Sequence, residues 1–294
     1  MLDVKLFLFV IAGFFWGGLT APVSIKLAGL YGILDIPDAR KIHKVNTPRG
    51  AGLGIWLGYM LMSVLMADTM PALKFTATGA TLIFLCGYLD DMCSLSPFLR
   101  LGLHLIASSL VILPLNLNIL VSALAIVWIA GVTSAYNLID GMNGLCISLF
   151  MASSVALFFL GRSYAGVYTG AMALGVLCWN FPSAQTFLGD GGSTLLGYLF
   201  ASHLLTIILP VLNTQGIGKL FALFVLFGGV PLIDTAVAFT RRMLTGHSPF
   251  YPDKKHLHHL LISFTGSNVV TVTIMLSLHL FSLAAGLRVY FGMP

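Results

Sequence analysis

Long apolar runs alternate with short polar segments along the whole chain. An α-helix needs about 20 residues to cross the hydrocarbon core of a bilayer, and most of these runs are close to that length. The pattern predicts ten transmembrane helices, centred in chain order on residues 6–30, 51–67, 72–89, 99–115, 119–136, 144–160, 166–181, 193–211, 218–239 and 268–290. The first run is longer than the apolar region of a signal peptide, so we predict that it is the first membrane span.

The composition agrees with a protein that lies mostly in lipid. Of its 294 residues, 58% are hydrophobic and only 9% are charged, and the mean hydropathy is +0.97, whereas a soluble domain carries about 25% charged residues. We predict an all-α integral membrane protein in which residues 1–294 form a single polytopic domain, with about ten transmembrane helices in one bundle. Four cysteines lie in or beside apolar runs without metal-site spacing, which predicts buried free thiols.

The basic residues indicate which side of the membrane each loop faces. Ten of the 15 lysines and arginines lie in or near the loops that follow odd-numbered runs, and cytoplasmic loops carry such an excess of positive charge. The predicted cytoplasmic loops are therefore about 31–50, 90–99, 137–143, 182–192 and 240–267. This topology predicts a multi-pass protein of the cell inner (cytoplasmic) membrane with both termini outside.

The acidic residues gather on the same predicted face. All ten are aspartates, and eight lie in cytoplasmic loops, beside them or just inside the membrane. Carboxylates at one membrane face, with lysine, arginine and histidine nearby, indicate a site for a divalent cation and phosphates rather than a channel. We therefore predict an active site that faces the cytoplasm.

Two polar segments at the ends of apolar runs supply candidate ligands. Asp90-Asp91 follows the third run, and Mg²⁺ or a basic partner would relieve the repulsion between the two carboxylates. A solvated pair that ends a helix is the alternative. Asn137-Leu-Ile-Asp140-Gly ends the fifth run. Its Asn and Asp are candidates to bind metal or hydroxyl groups, although such residues also form ordinary turns.

A glycine-rich segment precedes the eighth run. Gly189-Asp190-Gly-Gly-Ser193 leads into a predicted helix N-terminus, and such a terminus is a natural binding site for anions. Asp190 is a candidate ligand for a metal that bridges phosphates. A helix cap formed by Ser193 or Asp190 is the simpler alternative, but a cap does not need several glycines, so we favour a functional segment.

The last predicted cytoplasmic loop is basic and rich in histidine. It contains Arg241-Arg242 and, further on, His256, His258 and His259. We interpret these side chains as hydrogen-bonding groups for phosphate and sugar. A zinc site is an alternative for the histidines, and contact with anionic lipid headgroups is the simplest explanation of the positive charge.

Two further segments have both a functional and a structural interpretation. In the first cytoplasmic loop, aspartates such as Asp35 are interleaved with basic residues such as Lys41, which positive-inside topology alone does not explain. Asp234 lies one to two turns inside the ninth run. An ionisable residue at membrane depth indicates function, while a structural pair with Arg241 or Arg242 is the alternative.

Together these segments resemble the polyprenyl-phosphate N-acetylhexosamine-1-phosphate transferase family, the glycosyltransferase 4 family. The resemblance runs from about Asp35 to Leu261, with every signature in family order. The matching signatures are Asp-Asp at 90–91, Asn-x-x-Asp-Gly at 137–141, Gly-Asp-x-Gly-Ser at 189–193 and Pro-Asp-x-x-His-x-His-His at 252–259. The His-x-His-His form is similar to the branch that uses UDP-N-acetylglucosamine or a related N-acetylhexosamine.

The resemblance implies both a fold and a reaction. The family fold is a bundle of ten or eleven helices, and the family reaction moves a sugar 1-phosphate from a UDP-sugar to undecaprenyl phosphate, releasing UMP. That reaction initiates synthesis of a lipid-linked cell-envelope glycan. The implied cofactor is Mg²⁺, with Mn²⁺ as a substitute. The implied partners are the membrane, the polyprenyl phosphate, the UDP-sugar and a second copy in a homodimer, and no nucleic acid.

The same resemblance assigns roles to individual residues. Asp90, Asp91 and Asp190 are the implied catalytic residues, and Asp190, Asp91 and Asp140 the implied metal ligands. Whether Asp90 and Asp91 act on the lipid phosphate or hold metal stays open. The implied substrate-binding residues are Asp35, Lys41, Asn137, Asp140, Asn180, Arg241, Arg242, His256, His258 and His259.

The chain also departs from the family pattern. Ser94 stands where a third acidic residue is common, Asn143 replaces a frequent second aspartate, and Arg49-Gly-Ala-Gly52 replaces a Gly-Gly pair. The loss of two carboxylates predicts a thinner metal site and an altered sugar preference. A transporter and a catalytically inactive lipid-binding scaffold of the same fold are the alternative functions.

Overall fold

The computed structural model describes residues 4–35, 46–70, 72–212, 217–248 and 255–293, which are helical apart from loops and one short hairpin. The helices are α1 (Val4–Tyr31), α2 (Gly52–Leu65), α3 (Leu73–Cys93), α4 (Pro97–Ile112), α5 (Ile119–Ile139), α6 (Leu145–Gly161), α7 (Tyr164–Asn180), α8 (Gly189–Leu212), α9 (Ile217–Leu244), α10 (Leu257–Thr265) and α11 (Asn268–Phe291). Strands β1 (Leu34–Asp35) and β2 (Thr47–Pro48) pair antiparallel. Every predicted run thus forms a helix, and α10 is an additional one.

Many of these helices have the length and composition of membrane spans. Among the described helices, α1, α4 with the 3₁₀ turn that follows it, α5, α8, α9 and α11 are long and apolar enough to cross a bilayer. Helices α2 and α6 are apolar but shorter, with 14 and 17 residues, or about 21 and 26 Å at about 1.5 Å per residue. The chain is therefore a multi-pass, all-α membrane protein. The count of ten spans and the cytoplasmic orientation stay predictions.

Helix α8 lies at the centre of the bundle. In the part of α8 that is long and apolar enough to cross a membrane, within Gly189–Leu209, 89% of the residues are buried. The helix packs against α2, α3, α5 and α6. The other long helices leave apolar side chains such as Phe15 of α1 and Phe281 of α11 exposed, as lipid-facing helices do. The central position of α8 brings its N-terminal turn, with Asp190, next to the ends of α3 and α5.

Several residues predicted to lie in loops are helical instead. Asp90 and Asp91 belong to the last turn of α3, Gly189 opens α8, and α10 occupies part of the predicted loop 240–267. The apolar pattern underestimates the helices because a helix continues past its lipid-facing run wherever polar side chains find partners. Parts of the predicted loops are therefore helical, and their position on the cytoplasmic side stays a prediction.

The cysteine prediction was half correct. All four cysteines are free thiols, and Cys86 and Cys146 are buried as predicted. Cys93 and Cys178 are exposed, because each lies at the end of a helix where the packing against neighbouring helices thins out.

Candidate active site

The ends of α3 and α8 are in direct contact. A Cβ atom built on Gly87 would lie 2.5 Å from the backbone of Asp190, so a larger residue would push the two helices apart. The contact places Asp91 beside α8, where its Oδ2 accepts a 3.4 Å hydrogen bond from the backbone N–H of Gly191. The helix dipole is negative at the C-terminus of α3, which disfavours the Asp91 carboxylate, and positive at the N-terminus of α8, which favours it.

Arg49 links the hairpin to the end of α3. Its Nη2 pairs with the carboxylate of Asp35, and its Nη1 lies 3.0 Å from Oδ1 of Asp91. The side chains of Asp35 and Asp91 are only 8% and 2% exposed. Burying a carboxylate is costly without a paired charge, so Arg49 offsets part of the cost of burying these two acids.

Arg100, in the first turn of α4, performs the same task for the other member of the Asp-Asp pair. Its Nη1 lies 2.5 Å from Oδ2 of Asp90 and 3.7 Å from Oδ2 of Asp190. The second oxygen of Asp90 accepts a 2.5 Å hydrogen bond from the backbone N–H of Leu95. Arg100 therefore connects the acids of α3 with the acid of α8.

Neither arginine was predicted from the sequence to be a site residue. Both belong to the ten basic residues of the predicted cytoplasmic side, and Arg49 was noted as well as a departure from a Gly-Gly pair. A signal was present for Arg100, because it is the sole charged residue of an otherwise apolar segment, residues 97–112. Which carboxylates the two arginines pair with depends on how the helices meet.

Asn137 and Asp140 place the end of α5 in the same region. The Asn137 side chain donates a 3.4 Å hydrogen bond to Oδ2 of Asp190 and accepts a 3.0 Å bond from Oγ of Ser193. Burial, helped by the charges of Asp190 and Asp91 and opposed by the charge of Arg49, raises the pKa of Asp140 to about 8. A cation bound beside Asp140 would relieve this unfavourable environment.

Asn180, an implied substrate-binding residue, has both ends of its amide engaged within the protein. Its Oδ1 accepts a 2.6 Å hydrogen bond from the Gly144 N–H, and its Nδ2 donates a 2.7 Å bond to the carbonyl of Thr186. The side chain is buried. Asn180 thus ties the α5–α6 turn to the α7–α8 loop, and its contact with a substrate stays a prediction.

The histidine segment, residues 256–259, is attached to the C-terminal half of α9. Asp234 accepts hydrogen bonds of 2.8 Å from both Nδ1 of His256 and the backbone N–H of Leu257. Arg242 Nη2 lies 3.3 Å from Nε2 of His256, and Arg241 donates a 2.8 Å bond to the carbonyl of Lys255. Arg242 and His256 are buried. These residues therefore hold the start of α10 in place.

His258 is buried against the α5–α6 turn. A Cβ atom built on Gly141 would lie 2.5 Å from its Nε2, and its ring is 4.2 Å from that of His259 between centroids. Within the described parts of the chain, neither ring nitrogen of His258 has a hydrogen-bond partner. Burial lowers the pKa of His258 to about 3, with His259 contributing next, so the ring is neutral at pH 7.

These groups surround one cavity of about 350 Å³. Its lining includes five of the predicted site residues: Asp35, Asn137, Asp140, Asp190 and His259. It also includes residues that were not predicted to bind anything: Arg49, Gly141, Met142, Asn143, Pro182, Phe187, Gly189 and Asn268.

The remaining predicted residues are distributed around that cavity. Asp90 and Asp91 lie behind it, each paired with an arginine. Arg241, Arg242, His256 and His258 lie in the α9–α10 segment that carries His259. Lys41 lies outside the described residues.

The donors of the cavity fit a hard cation in type but do not form a complete coordination shell. In the described ranges no group of three or more histidine, cysteine or aspartate side chains is arranged to hold a metal ion. The predicted triad of Asp91, Asp140 and Asp190 is thus not preassembled, because Arg49 and Gly191 engage Asp91. Asp140 and Asp190 remain, and Mg²⁺ is typically held by one or two carboxylates together with substrate phosphates.

The chain matches a known family and several named proteins. Residues 73–208 match the family described as glycosyl transferase family 4. A Bacillus subtilis (strain 168) protein, named a probable undecaprenyl-phosphate N-acetylglucosaminyl 1-phosphate transferase, is 31% identical over 283 residues. That alignment covers 86% of this chain and 76% of the relative.

Two further relatives have closely similar names. A decaprenyl-phosphate N-acetylglucosaminephosphotransferase of Mycobacterium leprae (strain TN) is 29% identical, over 85% of this chain and 77% of its own length. An undecaprenyl-phosphate alpha-N-acetylglucosaminyl 1-phosphate transferase of Escherichia coli O157:H7 is 28% identical, over 81% of this chain and 71% of its own length. All three act on a polyprenyl phosphate according to their names.

Proposed function

The chain belongs to glycosyl transferase family 4, and from that premise we propose that it transfers N-acetylglucosamine 1-phosphate, or a related N-acetylhexosamine 1-phosphate, from a UDP-sugar to a polyprenyl phosphate. The observation that carries the proposal is one cavity lined by Asp140 at the end of α5, Asp190 of α8 and His259 of α10. The arginine-paired acids of α3 lie directly behind it. Such a cavity suits a diphosphate with a cation.

The proposed reaction is a phosphoryl transfer. An oxygen of the lipid phosphate attacks the β-phosphorus of the UDP-sugar and forms a new P–O bond. The bond between that phosphorus and the bridging oxygen breaks, and UMP leaves with the electron pair. The C1–O bond of the sugar is untouched, so its anomeric configuration is kept. Such transfers require alignment and charge neutralisation more than covalent help from the protein.

Asp140 and Asp190 are the residues that would hold a divalent cation, with Asn137 orienting Asp190 through its 3.4 Å hydrogen bond. When bound, Mg²⁺ would neutralise charge on the diphosphate. Asp190 is suited to this role because its side chain is 33% exposed to the cavity region, whereas Asp90 and Asp91 are almost fully buried.

We assign Asp90 and Asp91 to the positioning of arginines rather than to proton abstraction. A phosphate monoester has a second pKa of about 6, so most of the lipid phosphate is already a dianion at neutral pH and needs no base. The Arg100 side chain is 31% exposed and lies between Asp90 and Asp190. Its guanidinium is thus available to neutralise a phosphate that approaches Asp190.

The histidine side of the cavity supports binding of the nucleotide sugar. His259 and Asn268 line the cavity. His258 packs against Gly141 of the same lining, and its two ring nitrogens have no partner among the described residues. A buried polar atom without a partner costs about 1–3 kcal/mol, so a hydroxyl or phosphate oxygen of a substrate that reached this ring would be stabilised. Asn143 also lines the cavity, in the position where an aspartate is common, which supports a distinct sugar preference.

The membrane setting completes the proposal. The excess of basic residues near the cavity side supports a cytoplasmic active site in the inner membrane. The lipid acceptor would then approach laterally from the bilayer, and the soluble nucleotide sugar would enter from the cytoplasm.

The deciding experiment measures UMP release by the purified protein in detergent with undecaprenyl phosphate, Mg²⁺ and a panel of UDP-N-acetylhexosamines. We expect UMP only when lipid phosphate and Mg²⁺ are both present, and its loss in Asp190→Asn. Asp68→Asn is the matched control, because this exposed aspartate lies in the α2–α3 loop, at the opposite ends of these helices from Arg49 and Asp91. Folded protein that releases no UMP with any donor would favour the inactive scaffold, and movement of substrate across vesicles without chemistry would favour a transporter.

A further inference from the structure

Helix α9 is broken inside the bundle. Gly229 has φ 55° and ψ −149°, and Pro231 follows two residues later. Only glycine adopts such a backbone conformation without large strain. The break divides α9 into a first segment that ends near residue 228 and a second segment, residues 230–244, that carries Asp234, Arg241 and Arg242.

A broken helix leaves backbone groups unpaired, which is costly where no water is available. Here two side chains of α11 satisfy two of these groups. The N–H of Val230 donates to Nδ1 of His279 on α11 at 3.4 Å, and the carbonyl of Leu226, which would accept from Val230 in a continuous helix, accepts from Ser282 Oγ at 2.7 Å. His279 and Ser282 are three residues apart, so they share one face of α11.

His279 is itself held by a buried chain of hydrogen bonds. Its Nε2 lies 2.9 Å from Ser153 Oγ on α6, which lies 2.9 Å from the hydroxyl of Tyr136 on α5. All three side chains are fully buried.

One protonation pattern satisfies every member of this chain of hydrogen bonds. Nδ1 accepts from Val230, so Nε2 carries the proton and donates to Ser153. Ser153 then donates to the carbonyl of Leu149 at 3.1 Å. His279 therefore joins α5, α6, α9 and α11 at the point where α9 breaks.

The second segment of α9 determines where the histidine segment lies. Asp234 holds His256 and the N–H of Leu257, and α10 begins at Leu257. His258 on α10 packs beside Gly141 of the α5–α6 turn, and His259 lines the cavity. A change in the direction of α9 after Gly229 would therefore move these histidines relative to Asp140.

We propose that His279 is a positioning residue for the cavity: it fixes the break in α9 and so sets the distance between α10 and the α5–α6 turn. It lies 11 residues from Asn268 on the same helix, or about 16 Å at about 1.5 Å per residue, and does not touch a substrate. Its effect on turnover rests on the proposed transferase function, whereas its effect on the position of α10 does not.

The test measures a distance directly, using a cysteine that the chain already has. Spin labels are placed on exposed Cys93 at the end of α3 and on Ser263→Cys, an exposed position of α10, in a Cys178→Ser background. We expect a narrow distance distribution in the otherwise unchanged protein and a broadened or shifted one in His279→Leu. His203→Leu is the matched control, because it removes another buried histidine hydrogen bond, 3.0 Å to Tyr59, between α8 and α2.

Two smaller substitutions keep the proposal testable if His279→Leu does not fold. Asn places an acceptor near the position of Nδ1 and preserves the bond to Val230, whereas Gln reaches Ser153 but not Val230. We expect His279→Asn to keep the distribution closer to that of the unchanged protein than His279→Gln. In active protein, His279→Leu should raise the KM for the UDP-sugar about tenfold with a smaller change in kcat.

Three results would overturn the proposal. These are an unchanged distance distribution in His279→Leu, the same broadening in His203→Leu, or a Gln variant that behaves better than the Asn variant. If no donor supports turnover, the distance measurement still decides the role of His279, so its failure is distinguishable from failure of the proposed function.

Discussion

The carboxylate of Asp234 accepts a 2.8 Å hydrogen bond from Nδ1 of His256, across 22 residues of sequence and between two buried side chains. From the sequence, we predicted that Asp234 has either a functional role or a structural pair with Arg241 or Arg242. The structure pairs it with His256, and Arg242 contacts the other nitrogen of the same ring at 3.3 Å. Asp234 thus supports the histidine segment rather than the cavity itself.

Removing the charge of Asp234 should weaken binding of the nucleotide sugar. Asp234→Asn retains an oxygen for the Leu257 N–H but presents an amide nitrogen or a neutral acceptor to His256. Loss of a hydrogen bond to a charged group costs about 1.5–3 kcal/mol, so kcat/KM for the UDP-sugar should fall roughly 10- to 100-fold. Steady-state kinetics at varied donor concentration checks this, with Asp68→Asn as control. Unchanged kcat/KM would contradict the supporting role.

Replacing Arg100 should change cation affinity and turnover in opposite directions. Arg100→Met removes the cation between Asp90 and Asp190, so without substrate the acids should bind a divalent cation more tightly because their charges are less compensated. Turnover should nevertheless fall by about 100-fold or more, as expected when a group that stabilises transferred phosphate is lost.

The measurements for Arg100 are Mn²⁺ binding followed by electron paramagnetic resonance and UMP release by the same preparation. Arg100→Lys keeps the positive charge but not the planar guanidinium group. Its turnover should therefore lie between that of Arg100→Met and that of the unchanged protein. A parallel fall of cation affinity and turnover in Arg100→Met would contradict the assigned role.

Cation binding should release a proton below pH 8. Burial raises the pKa of Asp140 from its ordinary value of 3.8 to about 8, so at pH 7 the metal-free carboxyl is mostly protonated, and a cation must displace that proton. Burial also raises the pKa of Asp190, to about 7, so affinity for Mg²⁺ should rise by about tenfold or more per pH unit between pH 6 and pH 7, more gently up to pH 8, and level off above. Calorimetry in buffers of different ionisation enthalpy counts the released protons. Asp140→Asn should bind Mg²⁺ more weakly and with no proton release of this origin.

The buried, neutral His258 should make the fold less stable in acid. Burial lowers its pKa to about 3 from an ordinary 6.5, so the unfolded chain binds a proton between these values and the folded chain does not. The stability contributed by the neutral ring is complete above pH 6.5 and is lost as the pH falls towards 3, by up to about 1.4 kcal/mol per pH unit.

Thermal unfolding in detergent at pH 7 and pH 5 tests the role of His258. The unfolding temperature should fall more in the unchanged protein than in His258→Gln, which has no titrating group there. His247→Gln, an exposed histidine, should behave like the unchanged protein. An equal acid dependence in His258→Gln would show that another group is responsible.

The sequence by itself determined the helices, the membrane setting and the chemistry of the polar segments. Each of the ten apolar runs became a helix, because burying its apolar side chains and pairing all its backbone groups within one segment is a local requirement in lipid. The order of Asp90-Asp91, Asn137–Gly141, Gly189–Ser193 and His256–His259 along the chain was enough to identify the family, since such signatures are local too.

Only the tertiary structure decided which of these groups meet. Arg49 and Asp91 are 42 residues apart, and Arg100 and Asp190 are 90 apart, so no periodicity links them; they meet because Gly87 lets α3 approach α8. Asn180, His258 and Asp234 likewise took their places from packing. A sequence records which side chains a chain has, whereas the pairing of buried charges depends on the low-dielectric contacts that form when the helices come together.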